Sequence, residues 1–313
     1  MRAIKIMEMK TVSVIHSIYG NFDRKRLELS IFYASRQKAV EIELIVSEQN
    51  TSSQLQELCQ KHDIKLVYSR PELRCGVPFF SPGLIRNHAL IEATSEYIYT
   101  NDSDIIFPDP YYLCNLVKYS ERVGKSVYWP PMMRIDIHSF DAFYEANVNY
   151  DSDYALALLT KLNNYVLGIG QPPFDVNVSY KDGEKLVIGE ENYRMYKSCP
   201  EMKGMEPTIW NPVFHRGGTL AKALELRKLG GYSPHYEAWG YEDTDIHWKI
   251  REKFGIKRVP DEDKYKVYHL DHPKPYFDQF LFKNNYSKFN ARKEKGIDTC
   301  IKEDLHHYLE ICK

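Results

Sequence analysis

Tyr99-Thr100-Asn101-Asp102-Ser103-Asp104-Ile105-Ile106-Phe107 runs from an apolar, β-prone segment into two carboxylates set two residues apart. Side chains alternate across an extended backbone, so Asp102 and Asp104 are expected on one side of it. Such a pair suits a hard divalent cation and the pyrophosphate that travels with it. Both carboxylates then meet the ion, or one meets the ion and the other a sugar hydroxyl. The same residues also fit a polar turn or a helix cap, because Asp favours both. A second acidic cluster far downstream changes that balance.

Upstream of the pair, β-prone runs at residues 11–17, 41–48 and 64–68 alternate with helical patterns at about 24–38 and 83–90. That alternation predicts a parallel, doubly wound sheet with ligands bound beyond the carboxyl ends of its strands. His16, Glu48, the Ser69-Arg70 pair and Asp102/Asp104 all fall at such ends. Arg86 sits just inside a helix announced by Pro82-Gly83, where a guanidinium beside a helix N-terminus suits a diphosphate. An ordinary exposed helical arginine is the alternative.

The second cluster is Trp239-Gly240-Tyr241-Glu242-Asp243-Thr244-Asp245, read as a loop entering a helix with an acidic first turn. The helix dipole alone favours acids there, and Asp245 in particular suits a cap. An indole beside a carboxylate is also a way to stack a pyranose and take a proton from one of its hydroxyls. Further on, Lys266-Val267-Tyr268-His269-Leu270-Asp271-His272-Pro273 places two imidazoles three residues apart after a strand. Residues 219–229 read as a helix ended by Gly230-Gly231, with His215 and Arg216 in a structural turn outside the site.

The order of these parts resembles the nucleotide-sugar glycosyltransferases of the GT-A fold. Gly83-Leu84-Ile85-Arg86 is similar to the helix start of the polypeptide N-acetylgalactosaminyltransferases. Trp239-Gly240-Tyr241-Glu242-Asp243 is similar to the Trp-Gly-Gly-Glu-Asp element of the β-1,4-galactosyltransferases and chondroitin polymerases. The resemblance covers about residues 11–110 and 205–275. It implies an α/β, Rossmann-like GT-A domain over residues 1–275, with a nucleotide-sugar half at 1–110 and an acceptor half at 205–275. A largely helical insertion at about 130–200 and a C-terminal helical extension at 276–313 lie outside the match.

For the site, the resemblance implies nucleobase and ribose contacts from His16 and Glu48. It gives the diphosphate to Arg86, Asp102 and Asp104, and sugar contacts to Trp239 and Gly240. It puts Mn2+, with Mg2+ as second choice, on Asp104, His272 and His269, because imidazole beside carboxylate fits Mn2+ better than an all-oxygen Mg2+ shell. Asp243 becomes the general base and Glu242 a holder of a sugar hydroxyl. The implied reaction is inverting transfer of a hexose or N-acetylhexosamine from a UDP-sugar to a glycan or lipid-linked oligosaccharide acceptor, in bacterial surface polysaccharide synthesis. Retaining relatives carry Glu-Asn where this chain has Glu242-Asp243. The rival readings are a nucleotidyltransferase and an inactive sugar-binding domain. Against the first, the loop after the first strand, Ser17-Ile18-Tyr19-Gly20-Asn21, lacks the Gly-rich basic character of that class.

The 313 residues are 43% hydrophobic with a formal net charge of -1, enough apolar content for a packed core and no basic surface for nucleic acid. No apolar stretch reaches transmembrane length and residues 1–10 lack a signal core, so the expectation is a soluble, cytoplasmic protein. Residues 276–289 mix aromatic and basic side chains, which suits helix packing on the domain or a peripheral membrane contact. Six scattered cysteines without C-x-x-C spacing read as reduced thiols.

Overall fold

The computed structural model describes residues 9–20, 24–74, 76–135, 144, 179–181, 184–186, 213–270, 272 and 278–313. Most of the expected insertion at about 130–200 lies outside them. The opening half builds β1 (Thr11–Tyr19), α1 (Arg24–Ser35), β2 (Glu41–Gln49), α2 (Gln56–Lys61) and β3 (Lys65–Ser69). A hairpin of β4 (Glu72–Arg74) and β5 (Val77–Phe79) precedes α3 (Pro82–Glu92) and β6 (Tyr97–Asp102). β1 pairs in parallel with β2 and β6, and β2 with β3, as the alternation predicts.

Beyond Asp102 the chain turns and re-enters a second sheet as β7 (Ile105–Ile106), followed by α4 (Tyr112–Val123), β8 (Ser126–Tyr128) and β9 (Pro131–Ile135). A separate antiparallel hairpin joins β10 (Ser179–Lys181) to β11 (Glu184–Leu186). Then come β12 (Val213–Phe214), β13 (Thr219–Lys222), α5 (Ala223–Lys228), α6 (Glu242–Lys253), β14 (Ile256–Arg258) and β15 (Val267–Leu270). The main sheet has the order β14-β8-β13-β6-β1-β2-β3, with β13 alone antiparallel to its neighbours; the second has the order β12-β9-β15-β7.

Both faces of the main sheet are covered, which is why its strands read as nearly unbroken apolar runs. On one face Val12, Val14, Tyr97 and Tyr99 pack with Leu113, Leu116 and Val117 of α4. On the other Ile15, Ile45 and Ile98 pack with Ala89 and Leu90 of α3, Ile246 and Ile250 of α6, and Tyr308. α3 starts where the sequence puts it: Pro82 occupies the first turn and the Ser81 hydroxyl accepts the Leu84 amide at 3.3 Å.

The expected helix over 219–229 is corrected. Residues 219–222 form β13, paired across to residues 97–100, and only Ala223–Lys228 is helical. The edge of β6 needs hydrogen-bond partners and a buried Leu220 beneath it, and that pairing overrides the local helix preference. Gly230 and Gly231 end the helix with φ of +71° and +65°.

The C-terminal extension folds as α7 (Gln279–Lys295) and α8 (Ile297–Ile311), bolted onto α6 by a buried ionic cluster. The expected cap role of Asp245 is corrected: helix α6 has no side-chain cap, and Asp245 is fully buried. It accepts from Arg292 Nε at 2.7 Å and from the Tyr236 hydroxyl at 2.9 Å, while Asp304 accepts from Arg292 Nη2 and Lys249 Nζ at 2.6 Å each. Removing one member leaves buried charges unmatched. Asp245→Ala should therefore lower unfolding free energy by about 3–5 kcal/mol in a denaturant titration. At a temperature where the variant is folded, its turnover should change less than its stability. Among the described residues no helix is long and apolar enough to cross a membrane, and Cys59, Cys114, Cys300 and Cys312 are free thiols.

Candidate active site

The turn between β6 and β7 separates the two carboxylates that an unbroken strand would have held side by side. Asp102 faces α3 and α6, whereas Asp104 faces β15. The Asp104 carbonyl accepts the Leu270 amide at 2.8 Å, fixing the turn against β15, where His269 stands opposite Ile105. Asp104 Oδ2 then lies 2.8 Å from His272 Nε2 and 3.3 Å from His269 Nε2, with the two rings nearly parallel at 18°. Burial works against ionising Asp104, yet the two imidazoles outweigh it and hold the carboxyl well below its ordinary range. Its Oδ1 is buried without a hydrogen-bond partner.

These three side chains can place one donor atom each within 4.8 Å of one another. One ionised carboxylate with two imidazoles, and an oxygen left over, fits a divalent metal that accepts mixed N/O ligands.

Arg86 is where the two acidic motifs meet. Its buried guanidinium donates from Nη1 to Glu242 Oε1 and from Nη2 to Asp102 Oδ1, both at 3.2 Å, and Nη1 stands 3.1 Å from Asp243 Oδ1. The ring of Tyr232 lies 5.0 Å from it. Arg86, expected from the sequence to meet a diphosphate, bridges three carboxylates in this structure, which the arginine fork suits.

Asp243 holds the first turn of α6 with its side chain 18% exposed. Burial pushes its carboxyl up to about 8; Arg86 pulls the other way, and the charges of Glu242 and Asp102 add to the rise. The Arg86 contact to Oδ1 is an ion pair off the hydrogen-bonding line, so that oxygen keeps its acceptor capacity. A carboxylate with a pKa near neutrality is suited to taking a proton. Glu242 is buried deeper and braces the loop before it, accepting the Gly240 amide at 3.1 Å. Trp239 is 46% exposed at the tip of that loop.

Two sequence-derived candidates lie apart. His16 is fully buried, its Nδ1 3.4 Å from the Ser30 hydroxyl, and burial lowers its imidazole to about 3. In this structure the residue from which a donor contact was expected occupies a neutral core position. Glu48 is also buried, and its carboxylate accepts from Ser53 Oγ at 2.9 Å and the Gln54 amide at 2.8 Å. In this structure Glu48, expected from the sequence at the ribose, braces its own loop.

His215, read from sequence as outside the site, is brought into it. Its buried Nδ1 lies 3.6 Å from Asp102 Oδ2. The neighbouring Gly217 lies against the same carboxylate, where a Cβ would stand 2.7 Å from Asp102 Oδ2. Burial lowers the His215 imidazole, with Asp102 and Asp104 opposing. The Gly217-Gly218 pair after a histidine was the one local signal of this close approach.

Residues 203–273 match the family model described as the N-terminal domain of galactosyltransferase. No curated protein sequence matches the chain. Among solved structures, the mannosyltransferase PcManGT from Pyrobaculum calidifontis, in complex with GDP-Man and Mn2+, is 16% identical with a TM-score of 0.45; the match covers 86% of this chain and 59% of that one. S. aureus TarS 1-349 in complex with UDP is 15% identical, TM-score 0.49, over 96% of this chain and 70% of its own. Glucosyl-3-phosphoglycerate synthase from Mycobacterium tuberculosis, with Mn2+, UDP-Glc and phosphoglyceric acid, is 14% identical, TM-score 0.46, over 90% and 79%. The chain spans under two thirds of the mannosyltransferase's length. The family match is different in kind, because it contains both the Trp239–Asp245 loop and the His269/His272 pair; by it, this chain is similar to the nucleotide-sugar glycosyltransferases of the GT-A fold.

Proposed function

We propose that this chain is a metal-dependent, inverting glycosyltransferase that moves a hexose or N-acetylhexosamine from a UDP-sugar to a hydroxyl of a glycan or glycoconjugate. The observation that carries this reading is that the Asp104/His269/His272 group and the Arg86-bridged carboxylates Asp102, Glu242 and Asp243 flank one turn, with the buried His215 feeling the charge of both Asp102 and Asp104. Asp104, His269 and His272 would hold Mn2+, which when bound would supply Lewis-acid neutralisation of charge on a departing nucleoside diphosphate.

The rest falls to the protein's own side chains. Asp243 accepts the proton of the acceptor hydroxyl, which then attacks the anomeric carbon opposite the leaving group; a single displacement inverts configuration. Arg86 keeps Asp243 and Glu242 in one orientation while its charge limits their mutual repulsion. Trp239 stacks on a sugar face, and Gly240 lets the loop lie low enough for it to do so. Synthesis of a bacterial surface polysaccharide, at the cytoplasmic side of the membrane, is the setting we propose.

Incubation with Mn2+ and individual nucleotide sugars, including UDP-linked Gal, Glc, GalNAc and GlcNAc, should release free nucleoside diphosphate with one of them. The glycoside formed should have the anomeric configuration opposite to the donor's, read by NMR coupling constants. Pyrophosphate in place of nucleoside diphosphate would replace this reading with nucleotidyl transfer, and a product that keeps the donor's configuration would remove inversion.

A further inference from the structure

Aromatic rings from two distant parts of the chain form one shelf beside Asp243. Trp239 stacks on Phe282 of α7 with ring centroids 5.7 Å apart and planes 24° apart. Phe282 meets Tyr241 at 5.2 Å, and Tyr241 meets Tyr286, one helical turn beyond Phe282, at 5.4 Å. The shelf is exposed at its two ends, Trp239 being 46% and Tyr286 50% exposed, with Tyr241 and Phe282 half-buried between them.

Its rings are held before anything binds. Gly240, at φ +110°, lies so close to Phe282 that a Cβ would stand 2.7 Å from the ring. Asn285 is fully buried on the inner face of the same helix and clamps the loop backbone: Nδ2 donates to the Glu237 carbonyl at 2.8 Å and Oδ1 accepts the Glu237 amide at 3.2 Å. Farther along α7, Arg292 grips Asp245 inside α6. The C-terminal extension therefore fixes the loop that carries Trp239.

We propose that Phe282 and Tyr286 form a second saccharide subsite, binding the acceptor's sugar units beyond the one that reacts. This rests on the glycosyltransferase reading above. Pyranose rings stack their C–H faces on aromatic planes, and rings already locked in place lower the ordering cost of binding. Trp239 and Tyr241 belong to the loop that enters α6 just before the proposed base, and Phe282 and Tyr286 extend their rings along α7, which suits a chain of linked sugars. A lipid surface asks for apolar area without a fixed ring arrangement, so the clamped geometry favours the glycan.

The test uses the intact protein with its best nucleotide-sugar donor and Mn2+. The acceptors are methyl glycosides of glucose, galactose and their N-acetylated counterparts, each with matching di- and trisaccharides. In the wild type, lengthening the acceptor should raise kcat/KM by about tenfold through KM, the scale of one aromatic stacking contact. Phe282→Leu and Tyr286→Ala should each erase most of that gain, and Tyr286→Ala should do so while changing the monosaccharide reaction less than ~3-fold. Leu309→Ala, at an exposed apolar residue of α8, should keep the gain whole.

Variants that retain the length dependence, or lose activity equally on all acceptor lengths, would overturn the subsite. So would a wild type that transfers sugar with no length dependence, and in that case the transferase reading stands. Loss of co-sedimentation with phosphatidylglycerol vesicles in Tyr286→Ala, with length dependence intact, would assign the shelf to a lipid surface instead. Absence of both donor hydrolysis and transfer in the wild type would remove the transferase reading and this inference together.

Discussion

Asp243→Asn should leave nucleotide-sugar binding intact and lower turnover by at least ~100-fold, the scale of a lost general base. The substitution keeps the size and most of the hydrogen-bonding capacity of the side chain while removing its basicity. Burial sets the carboxyl at about 8 against the pull of Arg86, so below that pH it holds its own proton and takes no other. The wild-type rate should accordingly rise with pH and level off above about 8, and the variant's residual rate should lack that limb.

Stability offers an independent reading of the same group. A carboxyl whose folded pKa is raised gives stability that is whole below its ordinary 3.8 and is lost as pH climbs through about 8. Asn carries no such charge, so the melting temperature of Asp243→Asn should gain on that of the wild type between pH 5 and pH 9. Near-normal turnover in Asp243→Asn, with Glu242→Gln dead, would move the base to Glu242.

Loss of Asp104 should be the most severe change at the site. Asp104→Ala removes the carboxylate that, among the described residues, joins His269 and His272, and no turnover above background is expected. His272→Ala keeps the carboxylate and one imidazole. Its rate should fall by at least the ~10–100-fold that disturbing even an outer partner of a metal site brings, with the preference among Mn2+, Mg2+ and Co2+ altered. A binding readout separates metal loss from general damage: Mn2+ should raise the wild-type melting temperature and leave that of Asp104→Ala unmoved. Full wild-type activity in EDTA would remove the metal from the mechanism.

The architecture was legible because its signals are local. Residues 11–17, 41–48 and 64–68 are apolar runs of strand length broken by helical patterns, and the structure extends or trims each by a few residues at most. Pro82 and the acidic start of α6 mark helix beginnings for equally local reasons, a preset φ and a favourable dipole. Misreadings arose where local preference and long-range pairing disagreed. Residues 219–222 look helical in isolation but complete the edge of β6. Asp245 looks like a cap, because an acid in a first turn is favourable by itself; only the approach of Arg292 from α7 turns it into a buried ion.

Residue chemistry alone picked out the carboxylates, the imidazole pair and the indole, since few side chains bind a cation, move a proton or stack on a sugar. Which of them meet was decided in three dimensions. Arg86 and Glu242 are 156 positions apart, and His272 and Asp104 are 168 apart. They touch because β6 ends in a turn that sends Asp102 toward α3 and α6 and Asp104 toward β15. Burial is likewise a property of the packed chain, and it withdraws His16 into the core while raising Asp243 toward neutral pH. No window of sequence contains the neighbours that set those two values, because the cost of charging a group depends on everything folded around it.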